Sequence, residues 1–210
     1  MKLLVVSMFV CLLMVSCGQT ESKIQSESDD VPEEQMKNTF HSAEIGWTIE
    51  IPEGWKLVDE KSIRANNQKG MDAIEQTAGK EFDASGLQQL VSFQKDEVNM
   101  FQSSIEPFAE DSPGEWKANN AALKHLVYQT YKDQGLTADT SATKIESVDG
   151  IDFEVYSFQI IGNDGVVLLS QVMYSCLLNA CDFGVILNYN NDSDRDQLMK
   201  AWRNSKFTKN

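Results

Sequence analysis

Hydrophobic and polar positions change period several times along the chain, and each change marks an element. The chain begins with a basic tip, Met1-Lys2, followed by a near-continuous apolar run from Leu3 to Val15 that gives way to Ser16-Cys17-Gly18-Gln19. A membrane-spanning helix needs about 20 apolar residues. This shorter run reads as a secretory signal peptide over residues 1–16, and no other segment is apolar enough to span. Residues 17–38 have no apolar periodicity and set Glu21, Glu27, Asp29, Asp30, Glu33 and Glu34 against Lys23 and Lys37. Such a segment buries too little to offset the entropy of ordering and is expected to be a flexible tether with a reach of roughly 25 Å. The same acidic run could instead serve as a partner-binding tail.

From Thr39 the pattern is globular to residue 210, with no internal repeat and no second low-complexity stretch, which predicts one domain. Trp47-Thr48-Ile49-Glu50-Ile51 alternates as a strand does and is stopped by the turn Pro52-Glu53-Gly54. Between Glu60 and Gly79 a polar background with Ile63, Met71 and Ile74 predicts one or two weak helical turns, interrupted at Gly70. Strands follow over Leu87 to Lys95 and Val98 to Phe108. Ser112-Pro113-Gly114-Glu115 reads as a capping box with Pro113 at the first helical position. The helix behind it places Trp116, Leu123, Leu126, Val127, Thr130 and Tyr131 on one stripe and stops at Gly135.

The last third predicts four strands. Ser141 to Val148 leads through Asp149-Gly150 into Ile151 to Ile161, and Gly162-Asn163-Asp164-Gly165 is a hairpin turn into Val166 to Leu177. Phe183, Val185, Leu187 and Tyr189 alternate on the final strand. Val166-Val167-Leu168-Leu169 is apolar on both faces, so this part of the sheet is expected to be covered on both sides. A helix from about Ser193 to Asn204, capped by Ser193 and Asp196, closes the chain and buries Leu198 and Trp202. Hairpin links with helices before, between and after the strands predict an α+β fold, a largely antiparallel sheet with helices on both faces.

Charge narrows the partners. With 32 acidic against 18 basic residues the formal net charge is -14, and no run of Lys and Arg offers a phosphate-binding face, so nucleic acid is excluded as the expected partner.

Two resemblances attach to particular residues. Met14-Val15-Ser16-Cys17 resembles the lipobox of bacterial lipoproteins, with Met14 where Leu is usual. The resemblance implies a diacylated Cys17 as the mature N-terminus, anchored to a membrane of the bacterial cell envelope, the outer membrane favoured. Two or three acyl chains suffice for such anchoring where one does not; the alternative is ordinary cleavage with Cys17 as a bystander thiol. Ile51-Pro52-Glu53-Gly54-Trp55, entered from a strand, is similar to the turn that opens the PsbP-like and DcrB-like families. That resemblance covers about residues 39–210 and implies an α/β/α sandwich with a binding or assembly role. The family-motif turn is carried by Pro52, Gly54 and Trp55, and no functional residue transfers with it.

The remaining chemistry is thin. Cys176 and Cys181 bracket a short loop in an exported chain, and a disulfide between them is expected, with a redox motif or a zinc site as alternatives. Asp192, Asp194 and Asp196 have the alternation of a calcium loop, but Gln197 stands where its glycine belongs and Arg203 where its glutamate belongs, so they read as an acidic first helical turn. His41 and His125 have no nucleophile motif beside them, and there is no phosphate-cradling glycine loop. No catalytic residue, metal ligand or cofactor is therefore assigned. The function these readings predict is an envelope lipoprotein acting as a non-catalytic binding or assembly module, with an envelope protein as partner. An immunity protein capturing a basic toxin is the alternative, and an unrecognised hydrolase a third.

Overall fold

A computed structural model describes residues 38–208. The expected signal peptide, Cys17 and all of the tether except Asn38 lie outside the described residues. In chain order the elements are β1 (Thr39–Ser42), β2 (Trp47–Glu50), β3 (Lys56–Leu57), α1 (Glu60–Ala78), β4 (Gln88–Gln94), β5 (Met100–Pro107), α2 (Glu115–Asp133), β6 (Thr137–Thr140), β7 (Lys144–Val148), β8 (Ile151–Ile161), β9 (Val167–Leu178), β10 (Cys181–Tyr189), α3 (Asp192–Arg203) and β11 (Lys206–Phe207).

Eight strands form one antiparallel sheet in the order β3-β4-β5-β10-β9-β8-β6, with β7 also paired to β8, and a small sheet β1-β2-β11 stands apart from it. Period-two alternation sends Phe101 and Ile105 of β5, Phe183, Val185 and Leu187 of β10, Tyr174 of β9 and Phe153 of β8 into one cluster with Trp47 and Ile49 of the small sheet and Leu198 and Trp202 of α3. The other face sends Ile186, Met173, Tyr156, Phe158 and Ile160 against Ile74 of α1 and Leu123, Val127 and Tyr131 of α2. The result is a sandwich with helices on both faces, as the pattern predicts.

Local departures from the prediction have identifiable causes. α1 is one continuous helix through a buried Gly70, because the Asp59 carboxylate caps it by accepting from the Ser62 amide at 3.0 Å and Gly79 ends it at φ 66°. The Ser112 capping box does not form: α2 starts at Glu115 after Gly114 at φ 84°. In its first turn the Trp116 amide donates instead to Glu110 Oε1 at 3.0 Å, while the Glu115 carboxylate reaches back to accept from the Asp111 amide ahead of the helix at 2.7 Å. The cap of α3 is Asn191, which accepts from the Asp194 amide at 2.9 Å, rather than Ser193 or Asp196. Val166, Val167 and Leu168 are exposed and only Leu169 is buried, since this end of the β8–β9 hairpin runs past the helices.

Candidate functional site: a groove between the first turn and the last helix

The family-motif residues assemble one feature. The Trp55 amide donates to the Pro52 carbonyl at 3.1 Å, and Gly54 takes φ 82° at the third position, which makes a type II turn that an L side chain there would strain. Trp55 then turns inward, 3% exposed, edge-on to Phe93 at 6.0 Å. Its indole N–H donates to Gln197 Oε1 at 3.0 Å, tying the turn to α3 across 142 residues of sequence. Between turn and helix lies an open groove of about 520 Å³ lined by Ile51, Pro52, Glu53, Gly54, Gln197, Lys200, Ala201 and Asn204, with Glu50 at its edge. Pro52 and Gly54 line it, while Trp55 supports it from below. Carboxylate, ammonium and amide groups around a partly apolar floor suit a peptide segment, which presents donors and acceptors together.

Cys176 and Cys181 do not join. Both are free and buried. The β9–β10 hairpin closes through Asn179 and Ala180, each with positive φ, and its register sets Cys176 opposite Phe183 and Cys181 opposite Leu178. The two cysteines are thus diagonal neighbours, roughly 7–8 Å apart, where a disulfide needs Cβ atoms about 4 Å apart. Burial, with the Asp182 charge adding, pushes the Cys176 thiol well up, which also argues against a reactive redox role.

The acidic and histidine candidates disperse. Asp194 is buried and paired with Lys95 at 2.6 Å, Asp192 and Asp196 each pair with Arg195, His41 hydrogen-bonds Thr48 at 2.8 Å, and His125 lies exposed on α2. Among the described residues no group of three or more metal-ligating side chains converges.

Sequence reasoning misses a different pair. Glu106 of β5 and Asp182 of β10 are in direct register and are 7% and 3% exposed, beneath α2. Burial, the facing Asp182 and, more weakly, Asp83 push Glu106 up to about 7. Burial pushes Asp182 up to about 6, and the Trp116 indole pulls in the other direction without reaching hydrogen-bond geometry. The signal was present: Glu106 follows inward Ile105 and Asp182 lies between buried Cys181 and Phe183, and such alternate positions read as solvated unless a helix is known to cover them.

A largely antiparallel sheet between helical layers, entered through a strand and a Pro-x-Gly-Trp turn, defines an α+β sandwich. Among solved structures the chain is similar to the solution structure of cyanobacterial PsbP (CyanoP) from Synechocystis sp. PCC 6803, with a TM-score of 0.55 at 12% identity over 86% of this chain and 98% of that chain. The likeness is one of fold. No family model and no curated protein matches the sequence.

Proposed function

We propose that this chain is a lipid-anchored lipoprotein of the bacterial cell envelope whose PsbP-like domain is a non-catalytic binding or assembly module, engaging an envelope protein through the groove between the Pro52–Gly54 turn and α3. The observation that carries the binding half is the indole bridge from Trp55 to Gln197, which fixes a turn and a helix distant in sequence into one open groove. The lipobox-like Met14-Val15-Ser16-Cys17 and the acidic tether behind it support the anchor. The tether holds the groove within roughly 25 Å of the bilayer, which favours partners in or on the same membrane. The outer membrane is the favoured location.

A single comparison tests both halves. Full-length tagged protein is produced in cells fed a fatty-acid label, crosslinked, and purified from the envelope fraction beside Cys17→Ala. The wild type is expected to carry label and to bring down one dominant envelope protein, and Cys17→Ala to lose the label and most of the partner. Label retained on Cys17→Ala would remove the anchor from this reading, and recovery of the bait alone would remove the partner.

A further inference from the structure

We propose that Glu106 and Asp182 form a proton-linked latch, a carboxyl pair that shares a proton and thereby holds the N-terminal half of α2 against the sheet. This inference does not rest on the groove. Its basis is geometric: paired in antiparallel register, the two residues have Cα atoms roughly 4.5–5.5 Å apart on one face. Glu106 Oε2 and both carboxylate oxygens of Asp182 are shielded from solvent and have no hydrogen-bond partner among the described residues. A buried carboxylate is normally hydrogen-bonded or ion-paired. A proton held between these two would supply a donor to one oxygen and cancel the repulsion of two like charges.

Among the described residues the surroundings offer no cation to do so. From the loop between α1 and β4 comes Asp83, whose charge raises Glu106 further. From β8 come Tyr156, whose hydroxyl is buried without a partner, and Glu154, which accepts from Asn120 at 2.6 Å. β9 contributes Ser175, which donates to Asn120 at 3.2 Å, and the thiol of Cys176, which feels the Asp182 charge; Cys181 of β10 feels it too. On α2, Trp116, Asn119 and Asn120 are neutral, and Lys117 is exposed. Lys124 lies over the Tyr156 ring at 5.2 Å and donates to the Ser141 carbonyl. Glu110, ahead of the helix, is held by the Trp116 amide.

The sign follows from linkage. Both carboxyls bind protons more tightly in the folded chain than in the unfolded one, so the stability they contribute is fully present below about pH 4 and is lost as pH rises through about 6 and 7. Above that range two adjacent charges lie under Trp116, and the beginning of α2 loosens. A cleft of about 800 Å³ lined by Glu110, Gly114, Trp116, Glu154 and Leu177 adjoins that end of the helix, and loosening widens it.

Hydrogen exchange of the full-length protein, corrected for the intrinsic pH dependence, provides the test at pH 5.5 and 8.0. Protection over residues 108–122 is expected to fall about tenfold or more in the wild type at the higher pH, while α3 is unchanged. In Glu106→Gln, whose amide can donate to ionised Asp182, the fall is expected to shrink to less than about twofold. Equal wild-type protection at both values, or an undiminished fall in Glu106→Gln, would overturn the latch. Carboxyl-carbon NMR of the unmutated chain covers the case of a misfolded variant: a last ionisation step of the pair above pH 5.5 supports the latch, and complete ionisation of both groups at or below pH 5.5 refutes it.

Discussion

Trp202→Ala is expected to lower the unfolding free energy by about 3–5 kcal/mol, the range for deleting a large buried aromatic whose cavity cannot collapse. Trp202 has 0% exposure and sits where the parts of one layer meet. Its ring contacts Phe153 at 5.1 Å and Tyr174 at 5.3 Å on the main sheet, Trp47 at 6.2 Å on β2, and Phe207 at 6.5 Å on β11. Removing it therefore loosens α3 and the small sheet together, although Trp47 on Phe101 and Phe183, Phe207 on Phe153 and Leu198 in the shared cluster still join them to the main sheet. Its indole N–H has no partner among the described residues, so Trp202→Phe gives up little polar interaction and should cost far less, about 1 kcal/mol. Denaturant midpoints with near-ultraviolet circular dichroism separate the two. A loss under about 1 kcal/mol in the alanine variant would contradict the packing described for this core.

The second large effect is at Trp55. Trp55→Ala is expected to cost about 3–5 kcal/mol for the same reason, because the side chain is 3% exposed and packs against Phe93. Trp55→Phe is the more informative change: it keeps most of the buried surface and deletes the hydrogen bond to Gln197, which amounts to about 1–2 kcal/mol with Gln197 Oε1 left to find another donor. If the bridge shapes the groove, Trp55→Phe also weakens partner capture at temperatures where the protein is fully folded. A lowered midpoint with unchanged capture would make Trp55 a packing residue and no more.

Much of this fold is legible in the sequence because its strands alternate and its turns carry turn residues. Phe183, Val185 and Leu187 face one cluster as their spacing requires, and Asp149-Gly150 closes a hairpin with φ of 49° and 84°. Other features depend on long-range partners that spacing cannot supply. α1 looks weak by itself, with Gly70 and many polar positions, and is completed by Asp59 at its start and by Ile74 packing with α2. β6 is short and polar and is recognisable only through its pairing with Ile161 to Phe158 of β8. The cysteine pair fails on register, a property of where Asn179 and Ala180 turn the chain, not of how many residues separate Cys176 from Cys181. The turn at Pro52–Gly54 was visible as a turn, but its groove needs Gln197 and Lys200 from the far end of the chain.

Site-specific photocrosslinking in living cells tests the binding claim most directly. A photoreactive residue is placed at Glu53 or Lys200, both exposed on the groove, and for comparison at Asp164, exposed in the β8–β9 turn. The groove positions should each give the same single envelope-protein adduct, and Asp164 should give none. Adducts of equal yield at all three positions, or at Asp164 alone, would contradict the groove as the docking surface of this module.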